Sequence, residues 1–305
     1  ILVNMKHYAM PARDVGLILL ICLAWAGNLI AGARGMQHFT PFLFIALRFA
    51  ILLLLLAPFL RLPPGGQWVR LISVCLLMGA MHFTTLFIAL GRSKDVSSIA
   101  IILQTYIPMA VIMAMLFFGE RTGWRTLLAT MVAFAGVLII GFDPMVLSQL
   151  DVLFITLASA LFQALGSIYQ RGIKGIGVFN YQAWTAVIAL PVMIAASALT
   201  EQNQLETILS AGLMDWSSIF YTVLIASIVG HGLFFHLVQR HPASAVMPYL
   251  QITPVIGVLF GILFWGDQPG WRLYIGGLAV MAGILIITLR ARNRSIYIRS
   301  RGDNQ

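Results

Sequence analysis

Ten runs of mostly apolar residues divide this chain, and each run is long enough to cross a lipid bilayer. They lie near residues 14–33, 41–60, 68–90, 96–118, 124–142, 151–171, 179–200, 216–238, 243–265 and 271–290. A helix that spans the hydrocarbon core needs about 20 such residues. Only 10% of this chain is charged, against about 25% in soluble proteins. The sequence therefore predicts an all-α membrane protein with ten transmembrane helices and short connections.

A second constraint is an internal repeat. Residues 103–125 read LQTYIPMAVIMAMLFFGERTGWR, and residues 250–272 read LQITPVIGVLFGILFWGDQPGWR, 147 positions later. Nearer the start of the chain, Asp14 matches Asp151 at an offset of 137. A repeat of this length is too long for a solenoid unit. It fits a duplicated half of a membrane protein.

Each copy of the repeat holds five predicted helices, over residues 14–142 and 151–290. Because five is an odd number, the second copy has to enter the membrane from the opposite side. The two copies are then related by a pseudo-twofold axis in the membrane plane. This is the plan of transporters that expose a midplane site to each side in turn.

The positive charges lie mostly on one predicted side of the membrane. If both termini are cytoplasmic, the inside segments hold fourteen Lys and Arg residues and the outside loops hold four. This bias predicts cytoplasmic ends at residues 1–13 and 291–305. The net charge of +9 is then a membrane-surface feature. We expect the basic tail to contact anionic lipid, and we expect no nucleic acid as a partner.

Groups that would carry catalysis or coordinate a metal are missing from the predicted helices. All ten Asp and Glu residues lie in loops, at helix ends or in the tail. There is no metal-ligand cluster, phosphate-binding loop or paired nucleophile, so the sequence predicts no enzyme and no cofactor. Many proton-coupled carriers use buried acids. Their absence leaves either a uniporter or a carrier coupled through His82 or His231.

Polar side chains within the helices are candidates for a cavity wall. Trp25 and Asn28 share a face of the first helix, and His82 is the deepest ionisable group of the first half. Each has two interpretations, a contact between helices or a contact with substrate. The sixth helix has a clearer polar face, because its polar and small residues are three or four positions apart. These residues are Thr156, Ser159, Gln163, Gly166 and Gln170.

Two prolines and one arginine stand out inside apolar runs. Pro108 and Pro254 follow the repeated Leu-Gln pair, and each should kink its helix by removing a backbone donor. Arg48 lies about seven residues inside the second helix. An arginine at that depth is costly. It acts either as a structural anchor that snorkels to the surface or as a contact for a substrate carboxylate.

These features together resemble the drug/metabolite transporter superfamily. In its EamA-type branch each half ends in a proline-bearing helix, a Gly-Glu-Arg-like turn and a glycine-bearing last helix, as residues 103–125 and their continuation do. The second copy departs from this pattern, with Asp267 and Gln268 in place of the Glu-Arg pair.

The resemblance implies export of a small metabolite, and the chain is most similar to bacterial inner-membrane exporters of aromatic and other neutral amino acids. In those proteins, polar and aromatic residues of helices 3, 4 and 6 line a central cavity. The matching positions, with the repeat partner of helix 4, are His82, Gln104, Tyr106, Phe162, Gln163, Tyr249 and Gln251. With Trp25, Asn28 and His231 they form the predicted substrate-binding cavity, which we expect to be uncharged.

Two other functions fit the sequence less well. An exporter of drugs or hydrophobic cations should have an aromatic cage or a buried acid, and no predicted helix holds an acid. A membrane enzyme or a non-transporting assembly protein should have no cavity open to solutes. The sequence indicates no particular oligomeric state.

Overall fold

A computed structural model of the 305-residue chain describes residues 10–119, 122–241 and 243–302. Ten of its helices are long and apolar enough to span a membrane, and we number these α1 to α10. They are Ala12–Gly35, Pro41–Phe59, Trp68–Arg92, Val96–Phe117, Trp124–Gly141, Leu150–Gln170, Val178–Thr200, Leu213–Arg240, Ala245–Trp265 and Trp271–Arg290. All ten predicted helices are present, and no end differs from its prediction by more than three residues.

The remaining helical segments are short or extend a span. Pro144–Leu147 and Gln204–Ser210 form short helices in two connections, and the helix that contains α10 continues to Gly302. Glu120 and Arg121 of the first turn motif lie outside the described residues, as do the side chains of the basic tail from residue 291 onward.

The helices before the two prolines are interrupted at equivalent places. In α4 a tightened 3₁₀ turn at Leu103–Thr105 precedes the segment that carries Pro108. In α9 the helix stops at Leu250 and resumes at Thr253, directly before Pro254. Proline is tolerated in the first turn of a helix because the N–H it lacks would have no intrahelical partner there.

Two further spans widen into π-helical stretches, α3 over Cys75–Met81 and α8 over Tyr221–Gly230. These spans hold equivalent places in the two halves. A π-helical turn has an extra residue and leaves backbone groups less regularly paired, and it often marks a functional site. In both spans the residue that follows the π-helical stretch is a histidine, His82 or His231.

Contacts between the halves form a symmetric set. Helix α2 packs on α7, and α5 packs on α10. Helices α3 and α4 pack on α6, while α8 and α9 pack on α1. If the halves are exchanged, α1 takes the place of α6, α3 that of α8 and α4 that of α9. The same set of helix contacts then results.

Helices α5 and α10 approach each other closely at two equivalent places. A Cβ atom added to Gly136 would lie 2.5 Å from the carbonyl oxygen of Gly276, and one added to Gly283 would lie 2.5 Å from that of Ala129. At the offset of 147, Gly136 corresponds to Gly283 and Ala129 corresponds to Gly276. Glycine is therefore required at both places because backbone, not a flexible side chain, occupies the space.

We expect Gly136→Ala and Gly283→Ala each to destabilise the protein by about 1–3 kcal/mol, the usual range for an overpacked site. Gly16→Ala is the matched control, since no atom of the described residues lies within 4 Å of a Cβ at that position. Thermal unfolding of the purified protein in detergent, followed by circular dichroism, measures the difference. Equal melting temperatures for all three variants would contradict this packing.

The second half also caps a helix of the first half. The Glu201 carboxylate, at the end of α7, accepts hydrogen bonds from the backbone N–H groups of Phe42 (2.8 Å) and Leu43 (3.0 Å) in the first turn of α2. Ser197 Oγ donates a third bond, at 2.6 Å, to the same carboxylate. A carboxylate at a helix N-terminus satisfies free donors and interacts favourably with the helix dipole.

Candidate functional site

A cavity of about 300 Å³ lies between helices of both halves. Its wall is formed by α2, α3, α6, α7 and α8, and at one end it reaches Ile173 and Ile176 in the connection between α6 and α7. Its polar lining consists of Arg48, His82, Gln163, Gln170, Gln182, Thr185, Ser227 and His231. Its aromatic lining consists of Phe49, Phe83, Tyr181, Phe234 and Phe235.

Arg48 puts a buried charge in this wall. Its side chain does not snorkel to a surface, since the residue is only 3% exposed. Its Nη2 donates to Ser227 Oγ at 3.0 Å, while Nε and Nη1 are buried and have no hydrogen-bond partner among the residues that the structure describes. The guanidinium carbon lies 3.8 Å from the ring centroid of Phe83. None of the ion pairs between described residues includes Arg48.

The prediction of an uncharged cavity is therefore wrong. Helix α2 is apolar on nearly every side, so its sequence does not show which face meets the protein interior. The structure turns Arg48 inward, over Phe83 and toward α8. A buried guanidinium with free donors is costly in an apolar environment, which makes it a candidate for ligand binding.

The two histidines that follow the π-helical stretches both line the cavity. His82 Nδ1 lies 3.1 Å from the carbonyl oxygen of Ser159 and 2.8 Å from Ser159 Oγ. His231 Nδ1 lies 3.0 Å from the carbonyl oxygen of Ala226. Because a carbonyl oxygen only accepts, these contacts assign the proton of each neutral ring to Nδ1. The Nε2 of each neutral ring is then an acceptor.

The polar face of α6 divides into two parts. Ser159 bonds to His82 of α3, and Gly166 is packed against Met78. Gln163 and Gln170 instead line the cavity. The Oε1 atom of Gln163 is buried, and no described residue donates a hydrogen bond to it. The small residues of this face therefore allow close packing with α3, and its two glutamines contribute to the cavity wall.

Three of the ten predicted cavity residues, His82, Gln163 and His231, line the cavity. Trp25 lies directly behind it, with its ring centroid 5.3 Å from that of His231. The other six, which do not line it, are Asn28, Gln104, Tyr106, Phe162, Tyr249 and Gln251.

The two predicted tyrosines are placed elsewhere by the packing of their helices. Tyr106 packs against Ala164 and Ile168 of α6. Tyr249 packs in an apolar cluster with α1. The breaks in α4 and α9 do not turn these rings into the cavity that the structure contains.

A second carboxylate cap lies at the opposite end of the protein. Asp267 Oδ2, in the turn between α9 and α10, accepts from Val96 N (3.0 Å), Ser97 N (2.8 Å) and Ser97 Oγ (2.6 Å) at the start of α4. Asp95 caps the same helix by accepting from Ser98 N at 2.7 Å. These bonds hold the start of α4 against the end of α9.

The connections thus contain acids that the sequence does not mark as buried. Asp95, Asp143 and Asp267 are each less than 10% exposed. Burial raises the pKa of Asp95, and the neighbouring carboxylates of Asp267 and Asp143 act in the same direction. Asp95 stands directly before an apolar run, which is typical of an N-cap. This position is the feature of the sequence that could have predicted its capping role.

Comparison with known proteins agrees with this architecture. The profile of the EamA-like transporter family matches residues 14–142 and 150–289. A protein of Escherichia coli (strain K12) described as a probable amino-acid metabolite efflux pump is 24% identical, over 91% of this chain and 95% of its own length. A Salmonella typhimurium protein with the same description is 25% identical over the same shares.

One solved crystal structure superposes with a TM-score of 0.62 at 16% identity, covering 93% of this chain and 99% of that one. At this identity the likeness shows the fold alone. The family match covers both halves, and the family and these relatives are transporters, not enzymes. This multi-pass membrane protein therefore belongs to the EamA-like transporter family, within the drug/metabolite transporter superfamily.

Proposed function

We propose that this transporter exports neutral amino acids or close derivatives across a bacterial inner membrane by alternating access. One observation carries the proposal: a cavity between the halves is lined by a buried guanidinium, two nitrogens of which have no hydrogen-bond partner among the described residues, and its described lining reaches one end of the protein. Its volume suits a small metabolite, since ligand pockets begin at about 300 Å³. The relatives described as amino-acid metabolite efflux pumps support the same substrate class.

The halves act as an inverted repeat in this proposal. Three observations support it: each half has five spans, helix contacts are unchanged when the halves are exchanged, and the close approach at Gly136 recurs at Gly283. Helices α3, α4 and α6 form one group, and α8, α9 and α1 form the other. Transport then consists of rocking these groups about a central site.

The distribution of Lys and Arg orients this cycle. With both termini in the cytoplasm, the connection between α6 and α7 is cytoplasmic, and the cap of Asp267 on α4 is external. The cavity then loads from the cytoplasm while the external end is closed. On the cytoplasmic side, the basic tail contacts anionic lipid.

The rival cargo, a hydrophobic cation, is disfavoured by the charge of the cavity. A cation would meet Arg48 in a medium of low dielectric constant, where like charges repel strongly. In the described part of the chain no carboxylate lines the cavity to offset that repulsion. A carboxylate-bearing substrate gains from the same field.

The test is uptake of radiolabelled Phe, Trp, Met and Thr into liposomes that hold the purified protein. We expect saturable flux with no ion gradient if the protein is a uniporter, and flux that needs a pH gradient if His82 or His231 couples it to protons. In the second case, His82→Ala with His231→Ala should abolish the dependence on the gradient. Flux of a lipophilic cation with none of any amino acid would refute the proposal.

A further inference from the structure

We propose that Arg48 and Gln163 form the site that recognises the carboxylate and the ammonium group of an amino acid. This assignment rests on the function proposed above and specifies how the cavity would hold its substrate. It uses two kinds of buried polar atom that have no partner in the described part of the chain, donors on one residue and an acceptor on the other. Both residues line the same cavity.

The donors belong to a guanidinium that is fixed in place. Ser227 Oγ accepts from Arg48 Nη2 at 3.0 Å and donates to the carbonyl oxygen of Thr222 at 2.8 Å, five residues back in the π-helical stretch. Gln182 Nε2 donates to the Ser227 carbonyl oxygen at 3.3 Å. The ring of Phe83 covers one face of the guanidinium at 3.8 Å. Arg48 is thus positioned before a ligand arrives.

The free donors match a carboxylate. Nε carries one N–H and Nη1 carries two, and neither atom has a hydrogen-bond partner within residues 10–119, 122–241 and 243–302. Guanidinium and carboxylate form strong paired hydrogen bonds, more so where water is excluded. A substrate carboxylate would also neutralise the charge of Arg48, which no described acid does.

The free acceptor matches an ammonium group. Gln163 Oε1 is buried and accepts from none of the described residues, and an ammonium group brings three donors. A neutral acceptor suits a zwitterion, whose positive charge is balanced by its own carboxylate. An additional positive charge on the substrate side chain would have no such partner in the described lining.

The rest of the cavity wall determines which substrate side chains fit. Met78, Phe234 and Phe235 are apolar, and Tyr181 adds a further ring. Aromatic and aliphatic groups are stabilised by transfer into such surroundings. The site therefore fits a neutral amino acid with an apolar or aromatic side chain.

The experiment is competition against labelled phenylalanine flux in liposomes, using analogues that lack one group at a time. Phenylalaninamide and 2-phenylethylamine lack the carboxylate, and N-acetylphenylalanine lacks the ammonium group. For the wild-type protein we expect both carboxylate-free analogues to compete at least about tenfold more weakly than phenylalanine. Equal competition by phenylalaninamide would overturn the role of Arg48.

The role of Gln163 is tested separately with Gln163→Leu. This variant should bind phenylalanine about tenfold more weakly and N-acetylphenylalanine as the wild type does. Gln37→Leu, which alters an exposed glutamine near the end of α1, is the matched control and should leave both unchanged. Equal weakening of both compounds in Gln163→Leu would overturn the assignment of the ammonium contact.

A thermal-shift measurement in detergent keeps the two proposals distinguishable. N-acetylphenylalanine should raise the melting temperature of the wild-type protein, and its amide should not. That result without amino-acid flux would refute the transport function and leave the carboxylate site standing. The opposite result would be amino-acid flux in which compounds with and without a carboxylate act equally, both in the flux competition and in the thermal shift. It would refute the site and leave the transport function standing.

Discussion

Arg48→Met should greatly weaken amino-acid transport and at the same time make the protein more stable. Removing one partner of a buried charge pair costs about 2 kcal/mol or more, so the apparent KM for phenylalanine should rise by about 30-fold or more. Initial rates of uptake into liposomes, measured over a range of phenylalanine concentrations, give this number.

The stability of the same variant should change in the opposite direction. Without substrate, Arg48 is a buried charge with unpaired donors, and methionine fills a similar volume without them. Replacing buried charged groups by apolar residues of similar volume is neutral or stabilises proteins by about 1–4 kcal/mol. The melting temperature in detergent should therefore be at least that of the wild type.

Arg34→Met is the control, because it removes the same charge from the exposed end of α1. We expect wild-type transport and no gain in stability from it. If Arg48→Met lost both transport and stability, the arginine would be a structural anchor, and its assignment to the substrate would be wrong.

Joining Ser97 to Asp267 by a covalent link should stop transport. In a variant that lacks the native cysteines, Ser97→Cys and Asp267→Cys would place thiols where Ser97 Oγ and Asp267 Oδ2 are now 2.6 Å apart. A short thiol-reactive linker would then hold α4 against the end of α9. Because these helices belong to different groups, the end of the protein that holds this cap could no longer open, and flux should fall to background until a reducible linker is cleaved.

A link of the same kind within one group should be harmless. Asp14 Oδ2 and His241 Nε2 are also 2.6 Å apart and buried, but they join α1 to the connection between α8 and α9. Asp14→Cys with His241→Cys, linked in the same way, should keep its flux. If both links or neither blocked transport, with linkage confirmed by loss of free thiols, the two groups would not be the moving parts.

The positions of the spans could be predicted from the sequence because a membrane imposes one simple requirement on each. A run of about 20 apolar residues satisfies it whatever its neighbours are. The breaks near Pro108 and Pro254 could be predicted for a similar reason, since a missing N–H acts within its own helix. The π-helical stretches of α3 and α8 had no such signal, because no proline lies in either of these two.

The members of the cavity could not be predicted as well. In a soluble helix the apolar face points to the core, but helices such as α4 are apolar all round and show no preferred face. Tyr106 and Gln163 are both polar residues in apolar runs, yet one packs on α6 and the other lines the cavity. The difference lies in the rotation of each helix about its own axis, which is set by packing against neighbouring helices. Arg48 was visible as an anomaly, but its direction depended on the same rotation.

Glu201 has a further consequence for the order in which the protein is made. The donors of Phe42 and Leu43 that it satisfies are synthesised 159 and 158 residues earlier. At about 5–20 residues per second, the start of α2 waits roughly 8–32 s for its cap. The donors of Val96 and Ser97 likewise wait for Asp267, 171 and 170 residues later. We therefore expect the first five spans to enter the bilayer before two of their helices are capped, and to be completed by the nascent second half.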